Sequence, residues 1–112
     1  MSILSKKSLI QKSQSKGRIK MKIAIYQINP DKDTERVAFM RYNEDRFNPA
    51  IYDRVWDGNL EVKDLEDVFR AFNLYYELPN GCHSRSLSVS DVVFFNNKYY
   101  YCDYVGWKEV EF

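Results

Sequence analysis

The side chains with the most chemical capacity lie close together. Cys82 and His83 are adjacent, and Ser84, Arg85, Ser86, Ser88, Ser90 and Asp91 follow within eight residues. A thiol beside an imidazole suggests a nucleophile and its base, oriented by Asp91 or Asp103. Adjacency argues against that pairing: successive side chains on an extended backbone point apart, whereas a base must lie within hydrogen-bond reach of its thiol. A tetrahedral zinc site needs four ligands, usually in close pairs, and Cys82, Cys102 and the single histidine do not supply them. The residues therefore predict no catalytic site, no metal and no cofactor, and the chain reads as non-enzymatic.

The serines alternate around Leu87 and Val89, which gives two readings. One is an anion cradle with Arg85 as its fork. The other is a half-buried edge strand whose hydroxyls bond local backbone, and it is favoured because no glycine-rich strand-to-helix turn accompanies the serines. The acid pairs Glu44–Asp45 and Glu66–Asp67 read as solvated charges or as complements to helix starts. Tyr99, Tyr100, Tyr101, Tyr104 and Trp107 could stack on bases, but Lys98 and Lys108 are offset by Asp103, Glu109 and Glu111. Alternating tyrosines more simply supply one row to a core and one row to a protein partner.

These groups must be positioned by a chain of 112 residues, which is the length of one domain. Aromatics make up 16% of it, so rings should dominate the core. Net charge is +1, but residues 1–20 carry six Lys or Arg and no acid, leaving eleven basic against sixteen acidic residues from Met21 onward. The basic, serine-rich leader has too few large apolar side chains to repay ordering and is expected to be a flexible extension. Lysines interrupt any signal-peptide core, and no run is long and apolar enough to cross a membrane as a helix. A cytoplasmic location with reduced cysteines is the expectation.

Periodicity and punctuation then predict the elements. Residues 21–29 form a strand ending at Asn29-Pro30, and 36–42 return as its hairpin partner. Asn48, Pro49 and Gly58 punctuate a first helix with Ile51, Tyr52, Val55 and Trp56 on one stripe. A second helix follows Asp64, with Leu65, Val68, Phe69 and Phe72 at helical spacing. Residues 75–86, around Pro79-Asn80-Gly81, form an irregular connector. A three-stranded meander closes the chain: 92–95, a turn at Asn96-Asn97, 98–104, and 107–112 after Gly106. The predicted class is α+β, a small antiparallel sheet packed with two short helices.

In this order the blocks IYQINPDKDTERVAFMRY, IYDRVWDGNLEVKDLEDVFRAFN and GCHSRSLSVSDVVFFNNKYYYCDYVGWKEV resemble the small YodL-like domain, over about residues 21 to 112. The resemblance implies a domain that occurs alone and as a module in large proteins of bacterial conjugative elements and phages. It transfers no catalytic residue. Asn29-Pro30, the second helix, Arg85 to Asp91 and Gly106-Trp107 carry the likeness and are equally explained as turns, core and caps. That setting implies a protein-binding accessory that blocks a host defence factor, its acidic face matching a basic channel. Arg85, Ser88, Asp91, Tyr99, Tyr101, Asp103 and Trp107 are the candidate contact residues. The alternative is a nucleic-acid-binding module using the basic leader with Arg85, Lys98 and Lys108.

Overall fold

A computed structural model describes residues 19–73 and 86–112. Within them, five strands form one antiparallel sheet: β1 (Ile19–Ile28), β2 (Tyr52–Val62), β3 (Val92–Phe95), β4 (Lys98–Cys102) and β5 (Trp107–Val110). A single α-helix among the described residues, α1 (Leu65–Asn73), packs on it, so the class is α+β. The order across the sheet is β2-β1-β3-β4-β5. The first strand thus lies inside, pairing with β2 from Ile19↔Val62 to Ile28↔Tyr52 and with β3 through Ala24, Ile25 and Tyr26.

Three predicted elements differ from the structure. The expected helix after Asn48 is only a 3-10 turn, Pro49–Ile51, capped by the Asn48 side chain, after which the chain runs straight into β2. Residues 51, 52, 55 and 56 suit a helical stripe, but the pairing with β1 decides. Between Ile25 and Tyr26 the register slips past Val55, a bulge that lets both Val55 and Trp56 reach the helix-side core. Gly58 is not a helix terminator. The Trp56 ring lies against it, and a Cβ there would meet ring atoms at 2.7 Å.

The expected strand over 36–42 is likewise absent. Asp33 accepts hydrogen bonds from the Val37 and Ala38 amides (2.9 and 3.0 Å) and folds the segment back, with Arg36 and Phe39 at φ +58° and +67°. The first hairpin is therefore β1–β2, joined by a long ordered connection. The serine stretch is no edge strand either: residues 86–88 are irregular and Val89-Ser90 form a turn. The predicted connector lies outside the described residues except for Ser86 at its end, as do Cys82, His83, Arg85 and residues 1–18 of the basic leader.

The second predicted helix and the C-terminal strands occur where their signals place them, except that β4 ends at Cys102 rather than at residue 104 and β5 at Val110 rather than at residue 112. Asp64 accepts from the Asp67 amide at 2.9 Å, while Asp67 reaches back to the Lys63 amide at 3.0 Å. Asn96 and Asn97, at φ +53° and +66°, make the tight turn between β3 and β4. Alternation then gives the sheet two apolar faces. Ile23, Ile25, Trp56 and Val93 meet Val68 and Phe72 of α1 on one side. On the other, Ile28, Tyr52, Val92, Tyr101 and Val110 are covered by Val37, Ala38, Tyr42, Phe47 and Ile51 of the β1–β2 connection, and by Phe112. No helix among the described residues is long and apolar enough to cross a membrane.

Candidate interaction site

The Ser88–Asp91 turn organises the end of the sheet where the connection crosses. Asp91 is fully buried, and its Oδ2 accepts from the Ser88 amide (2.9 Å) and from Gln27 Nε2 (3.1 Å). Its backbone exchanges bonds with its surroundings as well: Asp91 N donates to Ser88 O, and Cys102 N donates to Asp91 O. Ser90, at φ +86° and with no exposed surface, accepts from the Phe39 amide through Oγ (2.9 Å) and from the Tyr52 hydroxyl through its carbonyl (2.7 Å). One turn therefore ties β1, β2, β4 and the connection together. A buried backbone without regular structure needs such side-chain partners, because unpaired amides and carbonyls are costly away from water.

Two further bonds fix the connection against the meander. The Tyr101 hydroxyl donates to the Met40 carbonyl, and Asp103 Oδ1 accepts from the Tyr42 amide (3.2 Å) and the Tyr104 amide (2.8 Å). Burial, and after it the neighbouring Tyr101, Asp91 and Asp33, pushes the Tyr52 phenol far above its ordinary value. Burial and then Asp103 do the same for Tyr101. Both phenols stay neutral and act as donors. Burial also pushes the Cys102 thiol up to about 12, with Asp91, Glu66 and Asp103 adding to it, so this sulfur is no ready nucleophile.

The predicted contact residues fall into different surroundings. Asp91 and Tyr101 are buried and spend their polar atoms inside the fold, Asp91 on the Ser88 amide and Gln27 and Tyr101 on the Met40 carbonyl, so their direct role is positioning. Ser88 is half-buried in the same turn. Tyr99 is half-buried among Tyr26, Phe94 and Phe112, with ring centroids 5.0–5.9 Å away. Trp107 is half-buried across the sheet, its indole N–H donating to Glu66 Oε2 at 3.1 Å. Asp103, half-buried, lies where the connection meets the β4–β5 loop. Arg85 lies outside the described residues. Lys98 pairs with Glu109 at 3.6 Å, and Lys108 lies over the Tyr42 ring, 5.8 Å from its centroid.

The exposed large apolar side chains are others: Ile19 stands apart at the start of β1, and four more belong to two loops. Phe39, Met40, Tyr104 and Val105 are 53, 44, 63 and 93% exposed. They sit together, because the bonds from Tyr101 to Met40 and from Asp103 to Tyr42 join their two loops and the Tyr104 hydroxyl lies 3.5 Å from Phe39 O. The signal for half of this cluster was hidden: the strand expected over 98–104 takes in Tyr104, whereas β4 ends at Cys102 and leaves both Tyr104 and Val105 in the loop before Gly106. Phe39 and Met40 carried none, since their strand-like pattern conceals the left-handed backbone.

Several blocks of the sequence thus assemble into one sheet, and they coincide with a family. The model of the YodL-like domain matches residues 22–112. The chain belongs to this family. No curated protein and no solved structure matches it. In this YodL-like domain the exposed cluster adjoins a cavity of about 210 Å³ on the same side, to which Met40 also contributes. Tyr42, Phe47, Tyr52 and Tyr101 line it with Val37 and Ile51, and the exposed Arg41 and Arg46 stand at its rim. Among the described residues no group of three His, Cys, Asp or Glu converges as metal ligands.

Proposed function

We propose that this YodL-like domain is a non-enzymatic protein-binding module, using the face formed by Phe39, Met40, Tyr104 and Val105. The observation that carries the reading is the exposure of four large apolar side chains on two loops tied together from beneath. Two non-glycine residues of the connection hold left-handed backbone, which costs roughly 1–2 kcal/mol each, and one of them is Phe39 itself. Apolar clusters kept in water at such cost mark contact surfaces. Net charge supports the choice less, because several acids already have partners: Asp53 with Lys32, Asp57 with Arg54, Asp67 with Arg70 and Glu109 with Lys98.

The setting implied by the family, conjugative elements and phages, makes a host protein the partner and restraint of a defence factor the role. The location is the cytoplasm, where such factors act. A photo-crosslinking residue at position 104, 105 or 59 tests the reading in a bacterial host. The same protein adduct is expected from positions 104 and 105, with none from the opposite end of the sheet at Asn59. Equal labelling from all three positions, or adducts to nucleic acid alone, would overturn it.

A further inference from the structure

We infer that the cavity beside the apolar cluster is an anchor socket for one aromatic or large aliphatic side chain of an acidic peptide segment. The inference rests on the protein-binding reading and specifies the chemistry of the partner. Size comes first. At about 210 Å³ the space somewhat exceeds the ~150 Å³ that accommodates a single benzene ring, and it falls below the roughly 300–1,000 Å³ of sites for drug-sized ligands. The space suits one inserted side chain.

The walls match such an occupant. Val37, Ile51 and the rings of Tyr42, Phe47, Tyr52 and Tyr101 present apolar surface, and Tyr42, Phe47 and Tyr101 already meet edge-on or tilted, with centroids 5.3–5.8 Å apart. The hydroxyls of Tyr52 and Tyr101 are committed to Ser90 and Met40. They make no demand on the guest.

The rim supplies the sign of the flanking charge. Arg41 and Arg46 are exposed, line the mouth, and form no ion pair among the described residues. Two guanidinium groups beside an apolar socket favour carboxylates on either side of the inserted side chain. Glu44 and Asp45, between them in sequence, temper the field but line no part of the cavity. Continuity with Phe39 through Met40 gives the rest of a peptide an apolar surface to lie on, which favours a chain segment over a free small molecule. The basic leader, with six cations and no acid, has the wrong sign to be that segment.

The test uses the full chain and a labelled peptide, Gly-Glu-Asp-Glu-Phe-Glu-Asp-Glu-Gly, followed by fluorescence anisotropy and by amide and aromatic NMR shifts. Saturable binding is expected, with shifts concentrated at Tyr42, Phe47, Ile51 and Tyr101. Replacing the central Phe by Ala should abolish it, and the surface double variant R41E/R46E should weaken it at least about tenfold. Equal binding of a lysine-flanked peptide, shifts confined to other surfaces, no binding at millimolar peptide, or displacement by an RNA oligonucleotide would each overturn the socket. Adducts from positions 104 and 105 would still stand in those cases, so failure of the socket is distinct from failure of the protein-binding reading.

Discussion

On one side of the sheet the nine residues of α1 shield Ile23, Ile25 and Val93, and on the other side residues 33–51 shield Tyr52, Val92 and Tyr101 with almost no regular structure. The helix satisfies its own backbone and needs little beyond a cap, here Asp64 at its start, so its last residue, Asn73, can spend its side-chain amide on two bonds with the Leu87 backbone. The connection cannot do so. Its amides and carbonyls are answered by Asp33, Ser90, Tyr101 and Asp103, so polar side chains that look chemically capable are consumed as scaffolding. The cover that hydrogen-bonds itself is plain, whereas the one that borrows its partners can carry exposed rings and an open socket.

Phe72→Ala should have the largest effect, removing about 3–5 kcal/mol of stability, since the ring is buried between α1 and Trp56. Denaturant unfolding should show both faces melting in one weakened transition. If the aromatic side kept its near-UV signal after the helix side had melted, the faces would be separate units. Asp91→Ala sharpens the contrast. It removes the Asp91 acceptor of the Ser88 amide and the shorter of the bonds from Gln27 Nε2, whose longer one to the Ser86 carbonyl remains, and should cost roughly 2–4 kcal/mol. Hydrogen exchange should then accelerate first at Phe39 and Tyr42, ahead of Val68 and Phe72.

Tyr52→Phe comes next, at about 1 kcal/mol for the bond to Ser90, and it carries a pH signature. The Tyr52 phenol is raised above its ordinary value of 10, so the unfolded chain releases this proton before the folded one does. Its contribution is complete below pH 10 and is lost as pH rises beyond that, by about 1.4 kcal/mol per pH unit. Urea midpoints at pH 8.5 and 11 should differ less for the variant than for the natural chain. Smallest of all for folding is Val105→Ser, expected within about 0.5 kcal/mol because the side chain is 93% exposed. Its thermal midpoint should hardly move while crosslinking from position 104 falls.

Legibility followed the same division. The helix face could be read because Leu65, Val68, Phe69 and Phe72 repeat at the period of the element that buries them, and Asn96-Asn97 could be read because few residues tolerate its backbone. The connection could not, since residues 36–42 alternate like a strand while Asp33 turns them by bonds that periodicity does not register. Tyr52 and Trp56, four apart, satisfy both periods, and only pairing with β1 decides between them. In the site, Asp91 was visible as a chemically capable group, but its complete burial depends on Gln27, sixty-four residues earlier in the chain. Tyr104 was visible only as one of the tyrosines of an expected strand over 98–104, and neither Val105 nor the place of the two beside Phe39 was visible at all.

The inner position of β1 has a consequence for synthesis. Its pairing with β3 joins Tyr26 to Val92, so one of its edges stays open until residues near 95 have emerged from the ribosome. Long-range closure of this kind is slow, and a chain released early would offer Ile23 and Ile25 on an unpaired template to its neighbours. Nascent copies should therefore depend on chaperone shelter far more than the finished molecule does.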